Sequence, residues 1–130
     1  MLTTEAAGRR RNTLLASLVL IRREAPGITV SEILAFLYVA ENPGVRVKEL
    51  AALMQTTAAT ASRASRALLG AEDPGVLPPA RGWLFMAANS REAVSRHLYL
   101  TESGLALSSR LDTLIASARP IRIDRTPSGA

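Results

Sequence analysis

Between Thr29 and Glu41 apolar residues return every three or four positions, at Ile33, Leu34, Leu37, Tyr38 and Ala40, which is the period of a half-buried helix. Thr29 and Glu32 have the T-x-x-E spacing of a capping box at its start, and Asn42-Pro43-Gly44 stops it. A shorter helix is predicted from about Val47 to Met54, with Leu50, Leu53 and Met54 turned inward. Gln55-Thr56 reads as a tight turn, and Thr57 as the N-cap of a fourth helix running to about Leu69, with Gly70 as its stop. On that helix Ala61, Ala64 and Leu68 share one stripe, while Ser62, Arg63 and Arg66 lie on the opposite one.

Upstream, a first helix is expected from about Arg9 to Glu24, ended by Pro26-Gly27. Leu14, Leu15, Leu18, Val19, Leu20 and Ile21 leave it apolar nearly all round, so it is either deeply buried or placed at an interface. Downstream of Gly70, the stretch from Ala71 to Ala80 is loop by composition, with three prolines and a glycine. The period then changes to two. Gly82 to Ala87 and Ser95 to Leu100 read as strands around a turn from Asn89 to Ala93, with Leu84, Met86, Leu98 and Leu100 on one face. Thr101 caps a last helix to about Ala118, ended at Pro120, whose stripe of Leu107, Leu111, Leu114, Ile115 and Ala118 has near-heptad spacing.

These elements describe one domain over residues 9–118, between a disordered start at 1–8 and a flexible tail at 119–130. The fold class is mainly α (α+β), a winged helix-turn-helix whose N- and C-terminal helices form a dimerisation region. Leu14, Leu18, Ile21, Leu107, Leu111, Leu114 and Ile115 are the candidates for that dimer seam, because together on a monomer they would make an unusually large apolar patch.

Composition narrows the chemistry. Sixteen basic against eleven acidic residues leave a net charge of +5, which favours polyanionic partners. With no cysteine, disulfides, thiolate zinc sites and thiol catalysis are excluded, and with one histidine, His97, so is a His-rich metal cage. No cofactor is expected. The fourth helix carries no titratable pair, so the pattern is that of a binder and not of an enzyme. The apolar run from Leu14 to Ile21 is far short of the roughly twenty residues that span a bilayer, and Arg22, Arg23 and Glu24 follow it in place of a cleavage site. A cytoplasmic protein with no membrane partner is expected.

Several residues admit plain readings. His97, beside Leu98 and Tyr99, reads as structural or solvent-facing, and Trp83 and Phe85 as packing residues. Arg9, Arg10 and Arg11 are either a solvated run or an arm along a nucleic-acid backbone.

Over residues 28–107 the chain resembles the MarR family of bacterial winged-helix transcriptional regulators. The resemblance rests on ITVSEILAFLYVAENPG, VKELAALMQTTAATASRASRALL and LYLTESGLAL in that order, the last containing the L-T-x-x-G of Leu100, Thr101 and Gly104. It implies a homodimer joined through the terminal helices, with the two fourth helices about one DNA turn apart. It implies that Thr57 caps the recognition helix, that Ala58, Ala59, Thr60, Ser62 and Arg63 face double-stranded DNA, and that Arg66 reaches a phosphate. Where the family often has D-x-R-R at the wing tip, this chain has Asn89, Ser90, Arg91 and Glu92, so Arg91 and, further on, Arg96 are the wing candidates. Arg46 occupies a position that usually holds a capping hydroxyl. The implied function is sequence-specific DNA binding in transcriptional control, most simply repression, with a possible small-molecule effector. The alternative is a winged-helix protein-interaction module without DNA binding, since Ala58, Ala59, Ala61 and Ala64 read few base edges.

Overall fold

The computed structural model describes the backbone of residues 4–89 and 92–117, and the side chains of 11–88 and 96–117. Its elements in chain order are α1 (Thr4–Glu24), α2 (Val30–Glu41), β1 (Val45–Arg46), α3 (Val47–Met54), α4 (Ala58–Ala67), β2 (Leu84–Asn89), β3 (Glu92–Leu100) and α5 (Glu102–Ser117). The order is that of a mainly α winged helix-turn-helix.

The capping box on α2 forms as its spacing requires. The Thr29 hydroxyl accepts the Glu32 amide at 3.1 Å, and the Glu32 carboxylate accepts the Thr29 amide at 2.7 Å. Two of the four orphan amides of the helix start are thereby satisfied, a gain of about 1 kcal/mol over an alanine cap. On α3 only half of the box exists: Glu49 accepts the Arg46 amide at 2.9 Å, but an arginine side chain has no acceptor to return. That amide, and then the Arg46 guanidinium, holds the Glu49 carboxyl below its usual range.

Between α3 and α4 the chain turns sharply at Gln55, which takes the left-handed conformation with φ 54°. Its amide closes onto Ala52 and the Thr56 amide onto Ala51, satisfying the last carbonyls of α3. Thr57 then starts α4 by accepting the Thr60 amide at 3.1 Å.

One core joins all elements. Phe36 and Val39 from α2, Leu50 from α3, Leu68 and Leu69 after α4, Leu84 from β2 and Leu98 from β3 are fully enclosed. Phe36 meets Trp83 at a ring separation of 5.2 Å, so Trp83 is a packing residue as expected. The sheet is antiparallel with strand order β1-β3-β2. Its register sets Leu84 opposite Leu100 and Met86 opposite Leu98, the inward face expected from the alternation. On the other face Phe85 stacks on Tyr99 at 5.4 Å.

Several boundaries differ from the sequence reading, each for a physical reason. Helix α1 begins at Thr4, ahead of Arg9. Helix α4 stops at Ala67, with Leu68 as its C-cap, so Gly70 is not its terminator. Leu68 and Leu69 leave the helix to reach the sheet: the Leu68 carbonyl accepts the amides of Trp83 and Leu84, and Leu69 bridges to Leu84. Strand β1 was not expected, because a two-residue strand carries no period; it exists through Val45–Leu98 and Arg46–His97 pairing. The wing strands extend further than expected and leave only residues 90 and 91 between them, which lie outside the described residues together with residues 118–130.

The junction of wing and α5 is tight. Thr101 donates its hydroxyl to the Gly82 carbonyl at 2.6 Å, donates its amide to the Trp83 carbonyl at 3.0 Å, and caps α5 by accepting the Gly104 amide at 3.1 Å. Gly104 lies so close to the Trp83 carbonyl that a Cβ there would collide with it.

Candidate nucleic-acid interface

Helix α4 has two distinct sides. Ala61, Ala64, Ser65 and Ala67 are buried, the Ser65 hydroxyl being satisfied by the Ser62 carbonyl at 3.1 Å. These small side chains let α4 lie close against α2 and α3, and their burial extends the expected Ala61–Ala64–Leu68 stripe. The opposite side carries Thr57, Ala58, Ala59 and Arg63 exposed, with Thr60 and Ser62 partly so. The six residues assigned to a groove-facing register therefore occupy one accessible surface at the start of one helix.

The hydroxyls on that surface are not equivalent. Thr57 accepts the Thr60 amide and donates to the Thr60 hydroxyl at 3.0 Å, so it is used up as a cap. The Thr60 hydroxyl keeps its own proton for an outside acceptor. Arg63 makes no ion pair among the described residues, so its five donors are available for bidentate recognition of an anion or a base edge. Thr60 and Arg63 also line a shallow hollow with Thr29, Ser31 and Glu32 at the start of α2, a neighbourhood that sequence spacing alone does not reveal.

The remaining cations are placed differently. Arg66 is half-buried and donates its Nε to the Gly75 carbonyl at 2.6 Å, so it is tied to the segment following α4. Arg96 is exposed on β3 opposite Ala88. By strand parity it shares the face of Leu98 and Leu100, at a point where the sheet has run out past the core. Arg91 lies outside the described residues. Arg46 and Lys48 are exposed at the start of α3, Arg46 paired with Glu49 at 3.3 Å.

His97 donates or accepts at Nδ1 with the Gly44 carbonyl 2.8 Å away; because a carbonyl only accepts, Nδ1 carries the proton. It fastens the α2–α3 turn to β3 and is structural. A second fastening was missed altogether. The Glu32 carboxylate that caps α2 also faces Arg81, with Nε 3.5 Å from Oε1 and side-chain exposures of only 7% and 11%. Removing one member of such a buried pair costs about 3–5 kcal/mol, because the other is left charged and unpaired. No local spacing betrays this pair, since its members are brought together only by tertiary folding.

The seam residues divide. Ile21, Leu107 and Leu111 are buried within the single chain and Leu114 partly so, which takes them out of the outward-facing set assigned from the sequence. Leu14, Leu18 and Ile115 are exposed by 63%, 41% and 53%, with Leu15 beside them. A groove of about 350 Å³ opens between α1, α2 and α5, walled by Leu18, Ile21, Ile33, Leu37 and Leu111. No helix among the described residues is long and apolar enough to cross a membrane.

No protein-family model and no curated protein sequence matches the chain. Solved structures do. A MarR family transcription regulator aligns over 84% of this chain at 23% identity with a TM-score of 0.55, and the match spans only 58% of that regulator's length. A variant of MepR from Staphylococcus aureus, bound to an oligodeoxyribonucleotide, aligns over 89% of this chain and 78% of its own at 18% identity and TM-score 0.56. PcaV from Streptomyces coelicolor, a transcriptional regulator in complex with its natural ligand, aligns over 89% and 79% at 18% identity and TM-score 0.54. The fold of this chain is that of the MarR-type winged-helix transcriptional regulators.

Proposed function

We propose that this chain is a sequence-specific double-stranded DNA-binding transcriptional regulator that acts as a homodimer in the cytoplasm, performs no chemistry, and represses by occluding a promoter. The observation that carries the reading is the two-sidedness of α4. Its small residues are sealed against α2 and α3, while Ala58, Ala59, Thr60, Ser62 and Arg63 stand accessible ahead of a two-stranded wing. A helix presented in this way fits a major groove, and a basic chain supplies the phosphate attraction. The similarity of fold to a regulator bound to an oligodeoxyribonucleotide supports the same reading. Selection from a random duplex pool at physiological salt tests it: a two-fold symmetric consensus is expected, and an unenriched pool refutes it.

Within this reading Arg63 reads bases, Thr60 and Ser62 take phosphates or base edges, and Arg91 and Arg96 belong to the wing. Arg63→Ala is expected to cost about 1–3 kcal/mol on the selected site and to relax base preference there. Arg91→Ala is expected to weaken selected and random duplexes by similar factors. Titrating both variants on both duplexes checks the assignment, and the opposite pattern reverses it.

The dimer is proposed to form through the exposed apolar residues of α1 and α5, Leu14, Leu15, Leu18 and Ile115, which a lone chain would leave in water. Leu14→Glu with Leu18→Glu is expected to yield monomers in light scattering with the helical signal retained, since neither residue belongs to the single-chain core. An unchanged dimer would place the seam elsewhere. The groove beside that seam falls within the size range of small-molecule sites and is the place proposed for an effector.

The interaction-module alternative draws on the alanines of α4, which offer few groups to base edges. It requires that no duplex bind even at low salt.

A further inference from the structure

The ten residues between Gly70 and Arg81, loop by composition, are held in place by two side chains. Arg66 donates Nε to the Gly75 carbonyl at 2.6 Å, and its own carbonyl accepts the Leu77 amide at 3.0 Å. Asp73 accepts the Gly75 amide on Oδ1 at 3.0 Å and the Met86 amide on Oδ2 at 3.2 Å. Gly75 is thus gripped at both ends of its peptide units, its N–H by Asp73 and its C=O by Arg66. Both contacts are charge-assisted, roughly twice as strong as neutral hydrogen bonds.

The position of Met86 gives this arrangement its meaning. With strand order β1-β3-β2, one edge of β2 is paired with β3 and the other is open. Amides on the open edge alternate. That of Leu84 goes to the Leu68 carbonyl at 3.0 Å, and that of Met86 goes to Asp73. The next on that edge belongs to Ala88, which is exposed, and immediately beyond it the β2–β3 register shifts. Among the described residues of that open edge, Met86 is therefore the last of β2 that the body of the protein holds, and it stands at the base of the wing.

We propose that Arg66 and Asp73 are positioning residues that set the angle of the wing against the recognition helix. Arg66, at the end of α4, holds the loop; the loop carries Asp73; Asp73 holds the wing strand at the point where it leaves the core. The functional consequence rests on the DNA-binding reading above. Helix and wing must meet the duplex together, and a fixed angle keeps the effective concentration of the second contact high. Loosening that angle weakens binding without removing any group that touches DNA.

A glutamine substitution separates this role of Arg66 from a phosphate contact. Glutamine places its amide nitrogen the same number of bonds from the backbone as arginine Nε, so Arg66→Gln keeps a donor for Gly75 and discards the charge. Asp73→Ala and Arg66→Ala are expected to weaken selected and random duplexes alike, by about five- to twentyfold, with the salt slope intact. Arg66→Gln is expected to bind within about twofold of the parent, also with the slope intact. The inference is overturned if Arg66→Gln binds as weakly as Arg66→Ala and loses about one unit of salt slope per chain, the mark of a phosphate contact.

A readout independent of DNA completes the test. In amide hydrogen exchange, both alanine variants are expected to speed exchange at Met86 at least about tenfold, while Leu84, held by the Leu68 carbonyl, stays protected and reports an intact fold. Equal protection of Met86 in parent and variants overturns the inference. If the parent bound no duplex at all, the DNA-binding reading would fail, and exchange at Met86 would decide the positioning role alone.

Discussion

Raising monovalent salt from about 50 to about 200 mM is expected to weaken the complex with DNA by three to four orders of magnitude. Arg46, Lys48 and Arg96 are exposed cations on the helix-turn-helix and the wing of each protomer, and Arg91 is the fourth proposed for phosphate, with Arg63 left to the bases. A dimer using most of them neutralises roughly six to eight phosphates, which gives a log–log slope of about −5 to −7 through counterion release. Arg46 contributes least, because Glu49 already pairs with it at 3.3 Å. Anisotropy titrations of a labelled duplex at four salt concentrations measure the slope directly. A slope near zero, or no binding to any duplex at low salt, would sink the DNA-binding reading and favour a protein partner.

Gly104→Ala is expected to lower stability by about 3 kcal/mol or more, a large share of the 5–15 kcal/mol that holds a typical domain. Helix propensity alone argues the reverse, since alanine is favoured over glycine by about 1 kcal/mol within a helix. The collision decides the sign. A Cβ at this position meets the Trp83 carbonyl, whose oxygen is already committed to the Thr101 amide, and lies 3.3 Å from the Leu100 Cβ. Neither neighbour is the free end of a flexible side chain, so relief requires α5 and the wing to move apart. Urea unfolding of the variant measures the effect, and equal or greater stability than the parent would refute the close approach.

Features that depend on a few consecutive residues were legible in the sequence. The Thr29–Glu32 box, the Gln55–Thr56 turn, the Thr57 cap and the inward row of Leu84, Met86, Leu98 and Leu100 are set by local hydrogen bonds and by the period, and all are found. Features made by distant segments were not. Glu32 and Arg81, Asp73 and Met86, and the pairing of β1 with β3 join positions that have no fixed spacing. The division of the terminal helices into covered and uncovered residues was not legible for a related reason. A helical period tells which residues avoid water, but not whether their cover comes from the same chain. Ile21, Leu107 and Leu111 find it within the chain, whereas Leu14, Leu18 and Ile115 do not.

On α4 the residues that seal the core and those that stand outward are wholly separate sets. Ala58, Ala59 and Arg63 can be replaced without disturbing Ala61, Ala64, Ser65 or Ala67, and exposed substitutions of that kind usually change stability by no more than about 0.5 kcal/mol. The outward surface of the helix is therefore open to change. Whatever it binds, its preference can drift in evolution, or be rewritten by design at three or four positions, on a scaffold whose melting temperature stays where it was.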